Sequence, residues 1–101
     1  MEQPEEAVGP LPKAVAATVR TIAARHGVTS VRVFGSVARN ESGADSDLDL
    51  LVTMAPGRSF LDLVAFWQDV EEGLGRKVDV VSEGGLSPYL RDRILGEAVP
   101  L

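Results

Sequence analysis

The sequence predicts an α/β or α+β domain in which a small mixed β-sheet is flanked by helices. Three observations predict it. Stretches of helical apolar spacing alternate with short β-branched runs. Glycine and proline mark most of the joints between them. The 101 residues are 45% hydrophobic, enough for one core and of a length that suits one domain. Residues 1–10, acidic and proline-bearing, read as a disordered leader, and residues 11–101 as the domain itself.

Residues 11–26 carry apolar side chains at 11, 15, 19, 22 and 23, the spacing of one helix face. Pro12 suits the first turn, His26 a C-terminal cap and Gly27 the stop. Residues 29–34 are β-branched and aromatic, a strand that Gly35-Ser36 ends; Ser36 is placed to cap a short helix running through Arg39. Residues 41–46 form a polar loop. Residues 47–53 are the second strand, and Ala55-Pro56-Gly57 the turn after it. Residues 59–72 form an amphipathic helix with Leu63, Phe66, Trp67 and Val70 inward, ended by Gly73 and Gly75. Residues 76–81 are the third strand, 82–87 a loop, and 88–98 a last helix with Leu90, Ile94 and Leu95 inward. No repeat and no linker interrupts the chain.

Composition excludes several classes of function. Without cysteine there is no disulfide, thiolate zinc site or cysteine nucleophile, and with His26 as the one histidine a zinc hydrolase is excluded. The start, MEQPEEAVGPLPK, lacks the basic and apolar regions of a signal peptide, and no apolar run approaches the ~20 residues of a membrane span. The expected location is the cytoplasm. Net charge is −5 and the ten Lys and Arg residues are scattered, so duplex nucleic acid is not an expected partner. A basic partner protein or a cation fits better.

The informative stretch is VFGSVARNESGADSDLDLLV, residues 33–52. Alternation along a strand puts Asp47 and Asp49 on one face and Leu48, Leu50 and Val52 on the other. Two carboxylates that close repel, and folding alone seldom keeps such a pair. Hard oxygen donors of this kind suit Mg²⁺ or Mn²⁺. Asp79, between Val78 and Val80, has the same pattern and joins them if its strand lies beside the second. Three carboxylates can hold two divalent ions, a device for in-line displacement at phosphorus. Gly35 lets backbone approach a ligand, Ser36 adds a hydroxyl donor, and Arg39 lies one turn on, within reach of the same phosphates. Asp45 reads as a solvated loop acid, and Ser46 as a turn cap or a support for Asp47. A calcium loop starting at Asp45 fails, because Leu50 and Pro56 stand where glycine and glutamate are required. Tyr89 suits packing better than stacking on a base, and Arg91 and Arg93 a solvated face.

Gly35-Ser36-Val37-Ala38-Arg39 followed by Ser46-Asp47-Leu48-Asp49-Leu50 resembles the signature of the minimal nucleotidyltransferases, small members of the polymerase β-like superfamily. Asp79 in Lys77-Val78-Asp79-Val80-Val81 is similar to the family's third acid, and residues 94–100, ILGEAVP, to its tail. Asn40 departs from the pattern, where glycine is common. The resemblance implies the polymerase β-like fold and Mg²⁺-dependent transfer of AMP from ATP, with Mn²⁺ as a substitute. Gly35, Ser36, Arg39 and Ser46 would bind the nucleotide. Asp47 and Asp49 would ligate two ions and Asp79 one of them, with Asp79 also acting as the base for an acceptor hydroxyl. It further implies an antitoxin whose partner is a HEPN-domain toxin, modified on a tyrosine. Because the chain adds no second domain to grip an acceptor, a hetero-complex or homo-oligomer is expected. The rival expectation is an antitoxin of weak catalysis that blocks its toxin by contact. Transfer to a small molecule such as an aminoglycoside would need an added helical domain.

Overall fold

The computed structural model describes residues 11–39 and 47–101, so the leader reading of 1–10, the loop at 41–46 and the Asn40 departure fall outside the described residues. Helix α1 spans Lys13–Arg25, strand β1 Val28–Phe34, the short helix α2 Gly35–Ala38, β2 Leu48–Met54, α3 Phe60–Leu74 and β3 Val78–Ser82. A 3₁₀ turn, Glu83–Gly85, precedes α4, Pro88–Glu97, and the short strand β4, Val99–Pro100. The four strands form one mixed sheet in the order β3-β2-β1-β4. β1 runs antiparallel to β2 and β4, and β2 parallel to β3. The expected small mixed sheet flanked by helices is present.

The core lies between one face of the sheet and the pair α1 and α3. Ala16, Val19, Ile22 and Ala23 of α1 and Leu63, Phe66 and Val70 of α3 meet Val33, Leu48, Leu50, Val52, Val78 and Val80 in one buried cluster. The apolar periodicity of both helices therefore does what its spacing predicts. Alternation on β2 holds for Leu48, Leu50 and Val52, yet Leu51, on the opposite face, is also fully buried. That second face is partly covered: the Glu83 carboxylate accepts from Arg32 Nη2 at 2.5 Å and Thr53 Oγ1 at 3.4 Å.

Local chemistry fixes the ends. Ser59 caps α3 by accepting from the Leu61 N–H, while the Asp62 carboxylate accepts from the Ser59 N–H at 2.8 Å, and Gly75 closes the helix in the left-handed region at φ 65°. His26 does cap α1, and its Nε2 also meets Asp69 Oδ2 of α3 at 2.6 Å. Trp67 Nε1 donates to the Val78 carbonyl at 2.6 Å, and Glu71 Oε2 accepts from the Val78 N–H at 2.9 Å. These two α3 side chains pin the first residue of β3 and with it the position of Asp79.

Two expectations are corrected. Ser36 does not cap α2: the helix opens one residue earlier at Gly35, with Phe34 in the capping position and no side-chain cap. Leu90 is not inward; it is exposed, α4 buries none of its residues, and Ile94 and Leu95 are only half-buried. The polar and charged positions of α4 leave it too weak an apolar face to sink into the core. The tail after α4 adds β4 to the open edge of β1, pairing Val99 with Val33 and Pro100 with Arg32.

Candidate active site

Phe34, Asp49 and Asp79 are register partners across β1, β2 and β3. The two acids therefore lie side by side on the sheet face away from the main core, as the sequence anticipates if the strands are neighbours. Alternating geometry sends Leu48 and Leu50 into the core and turns Asp49 to the other face. Asp47 stands at the entrance to β2, half-buried, one residue before the strand begins.

The carboxyls feel one another. Burial, the charge of Asp79, the charge of Asp47 and a side-chain hydrogen bond with Asp79 all push the Asp49 carboxyl above its ordinary value, and Glu97 adds to this. Hard oxygen donors that repel in this way are relieved by a divalent cation. Among the described residues no three His, Asp or Glu side chains already form a metal cage. The Asp49–Asp79 pair nonetheless fits Mg²⁺, which takes one or two carboxylates and completes its shell with water and phosphate oxygens.

Gly35 abuts this pair. Its φ is +78°, and a Cβ there would overlap Asp49 Oδ2 and come within 3.1 Å of the Asp49 Cγ. Glycine is required twice over, for the left-handed backbone and for the approach of the carboxylate. The structure thus brings Gly35, Asp49 and Asp79 together, with Ser36 next in α2 and Arg39 at its C-terminal end. Ser46, and Asp45 before it, lie outside the described residues.

Sequence reading missed Glu97, the last residue of α4. Its Oε2 accepts from the Gly35 N–H at 2.8 Å, and both its oxygens accept from Arg39 Nη1 at 3.2 Å. The signal available was the similarity of the ILGEAVP tail to the family's ending, which carried no role for the acid. Tyr89, expected to pack, is 95% exposed. No helix among the described residues is long and apolar enough to cross a membrane.

Comparison with known proteins places this geometry. A family model described as a nucleotidyltransferase domain matches residues 16–101. A candidate protein adenylyltransferase of Methanocaldococcus jannaschii is 49% identical over 75 residues, 74% of this chain and 81% of that protein. The solved structure of a candidate minimal nucleotidyltransferase is similar with a TM-score of 0.79 and 52% identity, covering 88% of this chain and 91% of that one. A toxin–antitoxin crystal structure with AMP-PNP shares the fold at a TM-score of 0.72 and 17% identity, over 84% of this chain and 70% of that one. Matched over residues 16–101, the chain belongs to the nucleotidyltransferase domain family and is a transferase similar to protein adenylyltransferases.

Proposed function

We propose that the protein transfers AMP from ATP to a hydroxyl of a partner protein, and that it is the antitoxin of a pair whose toxin carries a HEPN domain. The observation that carries the chemistry is the pairing of Asp49 with Asp79 beside Gly35, where a left-handed backbone and the close Asp49 carboxylate favour glycine. The toxin reading is supported by the likeness to a named protein adenylyltransferase candidate and by a fold neighbour that is a toxin–antitoxin structure with an ATP analogue. In this reading residues 11–101 are one catalytic domain acting in the cytoplasm.

Asp47, Asp49 and Asp79 would hold Mg²⁺, two ions in the full site, with Mn²⁺ able to replace it. When bound, the metal offsets the charge of the acids and of the triphosphate and stabilises the departing oxygen. The Gly35 and Ser36 turn, Arg39 and Ser46 orient the triphosphate. Asp79, on the outer strand, takes the proton of the acceptor hydroxyl. The hydroxyl oxygen forms a bond to the α-phosphorus as the bond from that phosphorus to the bridging oxygen breaks, and pyrophosphate leaves. The partner supplies the acceptor surface in this reading, in a hetero-complex or an oligomer.

The test is label transfer. The protein is incubated with Mg²⁺ and α-labelled ATP in lysate of its host, with γ-labelled ATP and Asp49→Ala as controls. A labelled band that needs the α-label and an intact Asp49 is the expected result, and its mass identifies the acceptor. Neutralisation of the toxin that persists in Asp49→Ala with no labelled band would replace this reading with an antitoxin acting by contact.

A further inference from the structure

Glu97 is an acid placed beside acids. Its charge adds to those that push up Asp49, so its position is not favoured by the carboxylate cluster. What holds it is attraction from the other side: the Gly35 N–H at 2.8 Å and the Arg39 guanidinium at 3.2 Å to each oxygen. With 22% of its side chain exposed, the carboxylate has given up much of its water for these donors. Gly35 and Arg39 are also two of the groups that the proposed function assigns to the nucleotide phosphates.

We propose that Glu97 is a built-in competitor for the nucleotide: its carboxylate occupies the Gly35 amide and Arg39 in the nucleotide-free protein, and a triphosphate oxygen must displace it. The inference rests on the reading of Gly35 and Arg39 as phosphate donors. The surrounding structure suits a latch that opens without unfolding the domain. Behind Glu97 the chain is anchored independently, because Val99 and Pro100 pair with β1 and Arg20 Nη2 donates to the Leu101 carbonyl at 3.0 Å. In front of it, α4 buries no residue fully, and its polar ties include this carboxylate to α2 and Arg91 to Glu83 at 4.0 Å. Displacing Glu97 therefore couples an occupied site to a loosened α4, whose first turn presents Tyr89 and Leu90 to solvent.

The experiment titrates the full chain and Glu97→Gln with a non-hydrolysable ATP analogue and Mg²⁺ by calorimetry, and follows amide exchange in α4. Glutamine keeps an acceptor for the Gly35 N–H and removes the charge. Glu97→Gln binds about fivefold tighter, which corresponds to about 1 kcal/mol at 1.4 kcal/mol per factor of ten. Exchange in α4 rises on nucleotide binding to the wild type and is already raised in free Glu97→Gln. Equal or weaker binding by Glu97→Gln, with the wild type binding normally, overturns the competitor and makes Glu97 a positioning residue for Arg39. Failure of both proteins to bind nucleotide overturns the proposed function itself, and this inference with it. Glu97→Ala gives an independent second reading if Glu97→Gln retains the contact through its amide.

Discussion

Replacing Gly35 by alanine tests the site at its narrowest point. Two costs combine. A φ of +78° puts an L-residue in the left-handed region, at roughly 1–2 kcal/mol. The new methyl also falls on Asp49 Oδ2 and 3.1 Å from Cγ, and overpacking of this kind costs about 1–3 kcal/mol. Against a total stability of about 5–15 kcal/mol for a domain of this size, a loss of about 3 kcal/mol is severe but leaves the protein folded. Thermal unfolding followed by circular dichroism should show a midpoint lower by about 12–24 °C, at roughly 4–8 °C per kcal/mol. The two costs are separable by a double-mutant cycle. In an Asp49→Ala background the methyl has room and only the backbone strain remains, so Gly35→Ala should cost about 1–2 kcal/mol less there. A midpoint within about 3 °C of wild type, or equal costs in both backgrounds, would refute the claim that Asp49 and Gly35 share one space.

Other consequences follow from the same geometry. Because the folded protein raises the Asp49 pKa, ionising this group opposes folding, and the associated stability is lost as pH rises from the unfolded value through the folded one. Asp49→Asn should therefore stabilise the metal-free protein at neutral pH by a few tenths to about 1 kcal/mol, while removing the gain in thermal midpoint that Mg²⁺ gives the wild type. Asp62 has the opposite sign: its hydrogen bond from the Ser59 N–H lowers its pKa, so its contribution is complete above the unfolded value and fades as pH falls through the folded one. Ser59→Ala should cost about 1 kcal/mol in urea titrations by removing the other half of the capping box. Phe66→Ala, at a fully buried position, should cost about 3–5 kcal/mol and expose a cooperative loss of the α3 contacts in near-ultraviolet dichroism.

Local rules made much of the fold legible. The apolar faces of α1 and α3 and the period-two pattern of Leu48, Leu50 and Val52 are each set by residues within a few positions of one another. Where the sequence misled, the deciding partner was distant. Ser36 looks like a cap, but the steep turn at Gly35 begins the helix a residue early to fit against Asp49 on β2. Leu90 looks buried by helical spacing, but the polar and charged positions of α4 leave the helix at the surface with no buried residue. β4 spans only two residues, one of them proline, and gains its pairing from the free edge of β1.

The site divides along the same line. Its candidate acids and glycine turn could be singled out because they are chemical types at fixed spacing, and the sequence by itself determined the α/β class and the apolar faces of α1 and α3. Tertiary structure alone decided that β3 lies parallel to β2 with Asp79 level with Asp49, since register is set by the hold of Trp67 and Glu71 on Val78. It alone decided that Glu97, 62 residues from Gly35 along the chain, closes on its amide. Spacing constrains neighbours along the backbone, whereas a carboxylate finds a distant N–H only once sheet pairing and helix packing have brought the two within hydrogen-bond reach.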